Sequence, residues 1–492
     1  MNDSSVSNVG VAIIGTGFSG MGMAIRLQQS GRSDFAIFEK ASDVGGCWRD
    51  NTYPGCCCDI PSHLYSFSFE QRADWSRKYP SQNEIHQYLR SCADKYDLLP
   101  KIQFDSDVVE IRYLDQDKLW QLTMASGDRV LAKFVIAGKG PLHIPSLPAI
   151  DGLESFEGKV FHSSQWDHSY DLNGKRVAVV GTGASAIQFI PQIASKVEQL
   201  HVLQRSPGWM LPRPDRAISA LEKWLYRKVP SLLNLYRKYQ FWVHEMRVIA
   251  FREGTHLHRK TVKMAENYMR SQVSDPKVQE KLLPSFSLGC KRMLISNDYY
   301  QTFNRDNVEL IASGIEKVEG NKVIASDGSC REVDAIIFGT GFEAADPITP
   351  QSLYGPQDAD LFDRWDEEGA QAYKGVSVAG LPNFFFLVGP NSGLGHNSMI
   401  LMIEAQIQYI LDCFDHMDSH QLDQWEVQRS AQDSYNQEIQ GGVDESIWSS
   451  GCRSWYINKK GRNTTVWPGF VYQYQKEMKR LEAAAYAEAV ES

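Results

Sequence analysis

VGVAIIGTGFSGMGMAIRLQQS, residues Val9–Ser30, is the stretch from which the fold of this chain is read. Its first six residues form an unbroken apolar run, the mark of a parallel strand buried on both faces. Gly15-Thr16-Gly17-Phe18-Ser19-Gly20 follows as G-x-G-x-x-G, and the remainder reads as a helix. Gly15 permits the tight turn, Gly17 lets a pyrophosphate approach the backbone, and Gly20 lets helix and strand pack closely. The helix start contributes free N–H groups and a partial positive charge. A second strand, FAIFEK at Phe35–Lys40, carries Glu39 near its end. A carboxylate there accepts both ribose hydroxyls and repels a 2′-phosphate, so this unit reads as a site for FAD or NAD rather than NADP.

The motif recurs at KRVAVVGTGASAIQFIPQIASK, Lys175–Lys196. Gly181-Thr182-Gly183-Ala184-Ser185-Ala186 is G-x-G-x-x-A, again between strand and helix. The next strand, QLHVLQR, ends in Arg205-Ser206 where the first unit has an acid. A guanidinium forks onto a 2′-phosphate and a hydroxyl adds a bond, which assigns NADPH to the second unit. The expected fold class is therefore α/β, with two Rossmann-like dinucleotide-binding domains, one for FAD and one for NADP. Opposite ribose preferences in one chain point to a flavoprotein reductase or monooxygenase.

Composition sets the outer bounds. At 492 residues the chain is about three domains long. Hydrophobic residues are 42% and charged residues 23%, which excludes disorder, collagen and coiled coil. Lys+Arg 51 against Asp+Glu 60 gives a net charge of −9, so the chain as a whole has no electrostatic drive toward nucleic acid. The opening MNDSSVSNVG has neither a basic start nor an apolar core, and no apolar run approaches a membrane span. The nine cysteines are accordingly expected to be reduced thiols in a cytoplasmic protein. Cys56-Cys57-Cys58 has neither the C-x-x-C spacing of a redox pair nor zinc-ligand partners, and reads as small packing residues.

Phe156-Glu157-Gly158-Lys159-Val160-Phe161-His162-Ser163-Ser164-Gln165-Trp166-Asp167 matches F-x-G-x-x-x-H-x-x-x-W-(P/D) in full, and Gly45, Gly46, Trp48, Tyr53, Pro54, Gly55 and Asp59 match G-G-x-W-x-x-x-x-Y-P-G-x-x-x-D. On these motifs the chain resembles the type I Baeyer–Villiger monooxygenases of the flavin-containing monooxygenase superfamily. Gly289-Cys290-Lys291-Arg292, Gly339-Thr340-Gly341-Phe342 (with Gly339 in place of the family's Ala), Pro382–Met399 and Gly451–Gly469 extend the likeness over nearly the whole chain. Trp166-Asp167 separates it from the relatives that oxygenate N or S of amines and sulfides, which remain the alternative. The resemblance implies an NADPH- and O2-dependent oxygen insertion beside a ketone carbonyl, through a C4a-peroxyflavin, giving an ester or lactone. The substrate is then a small ketone, with a sulfide as the lesser option.

It also implies roles. Arg292 and Asp59 become the catalytic pair, the guanidinium being a cation that keeps its protons. Lys291 joins Arg205 and Ser206 at the 2′-phosphate. Cofactor contacts are expected from Gly15, Gly17, Phe18, Ser19, Gly20, Glu39, Lys40, Gly46, Trp48, Asp59, Tyr65, Val109 and Met399 on the FAD side. Gly181, Thr182, Gly183, Ala184, Ser185 and Gln188 serve the NADP side. Met399 and Trp455 are placed near substrate. His162 is read as a linker residue governing domain motion rather than as the base.

The expected organisation is residues 1–145 (FAD domain, first part), 146–175 (linker with the fingerprint), 176–379 (NADP domain with a helical insertion at about 212–280) and 380–492 (FAD domain, second part, and substrate-side segment). Pro230 should split the insertion's basic, apolar stretch Ala217–Phe251 into two helices. That stretch reads as helices packed on the domain, with weak contact to a membrane surface as the sharper alternative. The final residues from Tyr474 read as a closing helix.

Overall fold

A computed structural model of the chain describes residues 6–250, 253–344, 352–444, 446–449, 454 and 456–490. The strand Val6–Ile14 lies parallel to and between Phe35–Phe38 and Arg129–Ala137. Its side chains alternate between two cores. Val11 and Ile13 pack with Met21 and Ile25 of helix Phe18–Gln29 and with Ile407 of helix Met399–His420. Ala12 and Ile14 pack with Trp120, Phe384 and Phe386 on the opposite face. Burial on both faces is why the sequence here is apolar without alternation.

This sheet has eight strands. Arg129–Ala137 forks it: residues 129–132 pair antiparallel with Leu119–Met124, and Val135–Ala137 pair parallel with Phe384–Phe386. The second sheet has five strands, all parallel, in the order Val308–Ile311, Gln199–Leu203, Arg176–Val180, Ala335–Phe338, Lys159–His162. Val177 and Val179 again face one core, Ala178 and Val180 another.

Three placements differ from the sequence reading. The fingerprint segment is more than a linker, because Lys159–His162 is the edge strand of the second sheet. Residues 352–379 belong with the first sheet, not the second. Ser352–Tyr354 pairs with Val108–Leu114, and helix Leu361–Glu368 buries Leu361 and Trp365 in the core that holds Trp120. The chain end is not a continuous helix. Helix Val471–Met478 stops, and Tyr486–Val490 forms a strand antiparallel to Leu422–Val427. Tyr486 stacks on Trp425 at 4.3 Å and its hydroxyl lies 2.9 Å from that of Tyr409. That packing overrides the helix preference of the alanine-rich run.

The insertion comprises helices Ala220–Lys228, Pro230–Glu245, Arg247–Ala250, His256–Gln272 and Pro276–Lys281. Pro230 opens its helix at the first position, where a missing N–H costs nothing. No described helix is long and apolar enough to cross a membrane. Cys290 is disulfide-bonded, which corrects the expectation that every thiol is reduced. Spacing does not reveal which sulfurs approach in space. Cys47, Cys56, Cys57, Cys58, Cys92, Cys330 and Cys413 are free.

A methyl group at Gly20 would sit 1.9 Å from the Gly15 carbonyl oxygen, so Gly20→Ala must push helix and strand apart. The expected cost is about 1–3 kcal/mol, read as a lower urea midpoint. An unchanged midpoint would contradict the close packing.

Candidate functional site

A cavity of ≈ 310 Å³ opens outside the carboxyl ends of the first sheet's parallel strands, the place where such sheets take ligands. At its centre Gly15, with φ of 94°, turns the chain into helix Phe18–Gln29. Gly17 caps that helix without any side-chain bond, so the first-turn N–H groups remain for a ligand. Gly46 faces Gly17, and a Cβ on Gly46 would lie 3.0 Å from the Gly17 Cα. The two bare backbones thus lie in close contact beside the helix start, where a Cβ on Gly46 would strike Gly17. The arrangement fits a pyrophosphate. Gly20 lies behind it, in the packing of helix on strand.

Glu39 and Lys40 line one end. Glu39 is 3% exposed and heavily engaged within the chain. Its Oε2 accepts the Thr16 N–H at 3.0 Å and hydroxyl at 2.5 Å, and its Oε1 accepts the Ala41 N–H at 3.0 Å and meets Arg49 Nη1 at 2.9 Å. A carboxylate has about four acceptor positions, so a ribose would have to exchange with Thr16 or Arg49. Val109 is 39% exposed and not on the cavity wall, while its neighbour Val108, 1% exposed, lines it. Strand alternation puts neighbours on opposite faces, and a Val-Val pair carries no phase. Lys139 also lines this end, and its buried ammonium has no hydrogen-bond partner among the described residues. It was not foreseen from the sequence, nor were the lining residues Leu394 and Thr464.

At the other end, Trp48 donates through Nε1 to the Tyr65 hydroxyl at 3.1 Å. Met399, first residue of its helix, joins them on the wall. Arg292 is on the wall too. Asp59 holds it by two bonds, Nε to Oδ2 at 2.9 Å and Nη2 to Oδ1 at 2.8 Å, and Nη1 donates to the Leu394 carbonyl at 3.3 Å. The Asp59 charge pushes the guanidinium further toward its cationic form, against burial. Tyr456 nearby is pushed up to about 12, chiefly by burial. The pair joins residues 233 positions apart. Trp455 lies outside the described residues.

In the second unit Gly181 has φ of 102°, and a Cβ there would meet the Gly339 oxygen at 2.5 Å. A Cβ on Gly339 would lie 2.9 Å from that of Ala186, which accounts for glycine at 339 where the family carries Ala. Thr182, Gly183, Ala184 and Ser185 lead into helix Ala186–Ile193, again with no side-chain cap. Arg205 is exposed at the end of its strand, and Lys291 Nζ donates to Ser206 Oγ at 2.8 Å. Burial and then the Arg205 charge lower the Lys291 pKa, as expected for cations gathered without their anion. Gln188 is placed otherwise than expected. Its Oε1 accepts the Tyr53 hydroxyl at 3.1 Å and the Cys57 N–H at 3.2 Å, and its Nε2 donates to the Cys57 carbonyl at 3.0 Å. It clamps the two units together instead of facing a nucleotide. Cys57 Sγ accepts from Arg213 at 2.7 Å, and burial pushes Cys56 up to about 12, which suits packing.

The fingerprint lies away from the cavity wall. His162, 2% exposed, accepts the Ser164 N–H at 3.1 Å and packs against Phe342. Trp166 packs on Phe161 and Phe189, and Asp167 pairs with Lys159 at 2.6 Å. These contacts bind the edge strand to its sheet.

The family model for flavin-binding monooxygenase-like proteins matches residues 8–362. A Baeyer-Villiger monooxygenase of Pseudomonas aeruginosa is 47% identical over 97% of this chain and 90% of its own length. A Streptomyces coelicolor protein of the same name is 42% identical over 97% and 92%. Among solved structures, a closed crystal structure of cyclohexanone monooxygenase superposes with a TM-score of 0.88 at 27% identity, covering 99% of this chain and 100% of that one. OTEMO in complex with FAD and NADP superposes with 0.86 at 28%, covering 98% and 99%.

Burial pushes the Lys139 ammonium down to about 7. In the unfolded chain it holds its proton to about pH 10. Between these values the unfolded chain binds more protons, so this residue makes stability rise with pH. Without bound nucleotide, Lys139→Met should therefore be the more stable form near pH 7, with a margin that shrinks toward about pH 10. Denaturant titrations at both pH values measure it. A constant margin would mean that Lys139 is not a buried, unpaired amine.

Proposed function

This chain belongs to the flavin-binding monooxygenase-like family, and from that premise we propose that it is an NADPH-dependent Baeyer–Villiger monooxygenase acting on ketones. The overall reaction is ketone + O2 + NADPH + H+ giving ester or lactone + NADP+ + H2O. The observation that carries this reading is Arg292, fixed by Asp59 on the wall of the same cavity that holds the glycine turn and the uncapped helix start.

FAD, when bound, supplies acceptance of hydride and activation of O2. The chain's own residues do the rest. The uncapped helix start, kept clear of side chains by Gly15 and Gly17, holds the pyrophosphate. Trp48, Tyr65 and Met399 give the redox end an apolar wall that excludes water. Arg292 offers a positive charge that cannot be spent as a proton, so negative charge developing beside it is stabilised without being quenched. Asp59 is a positioning residue, because its two bonds set the guanidinium plane. Arg205, Ser206 and Lys291 converge on the 2′-phosphate of NADPH, where Lys291 regains a partner.

Aerobic NADPH oxidation over a panel of ketones and sulfides, with products weighed, should show a ketone gaining one oxygen atom. If only sulfides gained oxygen, the reading would fall. Arg292→Ala should keep NADPH oxidation but lower ester formation by about 10²–10³-fold. Ester at the parental rate would remove the role given to Arg292. Arg205→Ala should raise KM for NADPH by about 10–100-fold and leave that for NADH nearly unchanged. Equal changes for the two would mean that Arg205 does not read the phosphate.

A further inference from the structure

Helix Pro230–Glu245 is inside out. Its protein-facing side is mostly polar, with Leu233 buried and Phe241 packed on the core as its apolar members. Arg237 donates to the His63 carbonyl at 2.6 Å, Gln240 and His244 are buried, and Glu245, wholly buried, accepts from Asn397 at 3.0 Å and from the Tyr472 N–H at 3.0 Å. Its solvent-facing side is apolar. Leu235 is 64% exposed, Tyr239 61% and Trp242 52%, with Met246 at 49% just past the end. The preceding helix, Ala220–Lys228, continues the face with Leu221 at 65% and Trp224 at 54%. An amphipathic helix normally turns its apolar stripe to the core, and a soluble surface rarely leaves so much apolar area together.

The charge around this face is mostly positive, with Asp74 as the acid beside it. Arg227, Lys228 and Lys238 are exposed on the two helices. Both acids of the two helices are used elsewhere: Glu222 caps its own helix and pairs with Arg216 at 2.6 Å, and Glu245 is buried. The nearby Asp74 is shared between Arg72 at 2.8 Å and Arg227 at 3.7 Å. A cationic rim on a chain of net charge −9 is complementary to an anionic surface. Trp and Tyr, apolar in body and polar at the tip, are the residues that settle at a lipid–water boundary.

We propose that these two helices rest on an anionic lipid surface, lying in the headgroup region without crossing it. A second copy of the chain fits less well. A two-fold contact would press Arg227, Lys228 and Lys238 toward their own copies with no outward acid on either helix to pair them. The 3–4 spacing of the stripe also spans only about two heptads, short of a coiled coil.

The test floats the FAD-loaded full chain with vesicles of phosphatidylcholine alone and of phosphatidylcholine containing about a third phosphatidylglycerol. Flotation with the anionic vesicles is expected, weakening as salt is added. Trp242→Ser should lower partitioning about tenfold and Lys238→Gln about fivefold. Both variants should retain FAD and the parental rate of NADPH oxidation, since neither residue lines the cavity. Failure to float, equal binding to neutral vesicles, or parental binding by Trp242→Ser would overturn the proposal. So would a self-association, seen by sedimentation, that Trp242→Ser abolishes while lipid binding is absent. That result would assign the face to a second copy.

Discussion

The ion pair between Arg292 and Asp59 is the contact on which the site depends. Asp59 follows the Tyr53-Pro54-Gly55 turn of the first unit, and Arg292, on the cavity wall, reaches it from beyond the helical insertion. A part-buried pair of this kind contributes little net stability, because desolvation offsets the attraction. Its worth lies in placement: two bonds from one carboxylate and a third to Leu394 leave the guanidinium few ways to turn. The same geometry makes the residue a poor acid, since Asp59 strengthens its hold on its protons. Charge that stays put is what distinguishes this wall from an ordinary polar cleft.

What could be read from the sequence was whatever steric necessity forces. Gly15, Gly20 and Gly181 sit where a Cβ meets a backbone carbonyl, so the residue type announces the geometry. The exchange of an acid for a base after the matched strands, Glu39 against Arg205, is also visible in the sequence, whereas the burial of Glu39 among Thr16 and Arg49 is not. The illegible parts depend on three-dimensional partners. Nothing in Val108-Val109 tells which valine faces inward until the strand is paired. Gln188 looks like a nucleotide contact until the Cys57 backbone is seen to occupy both ends of its amide. The strand Ser352–Tyr354 is too short to carry a period, and Tyr486 enters a strand through ring packing that helix propensity opposes. Lys139 gave no signal, since a lysine's burial is not written in its neighbours.

The fingerprint shows how a family mark can be structural. Asp167 pairs with Lys159 across the segment, Trp166 covers Phe189 of the second phosphate-facing helix, and a Cβ on Gly158 would strike the Asp334 oxygen at 2.4 Å. Each contact fixes the edge strand Lys159–His162 beside Ala335–Phe338. The residues act on the second nucleotide unit by holding its sheet, and His162 spends its Nδ1 on Ser164.

One short segment couples the parts. Leu394 gives its carbonyl to Arg292, Asn397 gives its amide to Glu245, His396 lies 3.6 Å from the same carboxylate, and Met399 begins the helix that walls the cavity. Glu245 ends the inside-out helix, so the insertion is bonded through four residues of chain, Leu394–Asn397, to the cation at the site. The buried Glu245 needs those donors, because an unpaired carboxylate in that position would be costly. The polar inner face of the insertion helix follows from this demand. With Arg237, Gln240, His244 and Glu245 carried inward beside Leu233, the inner side has little room for more apolar residues, and most of the rest form the exposed stripe.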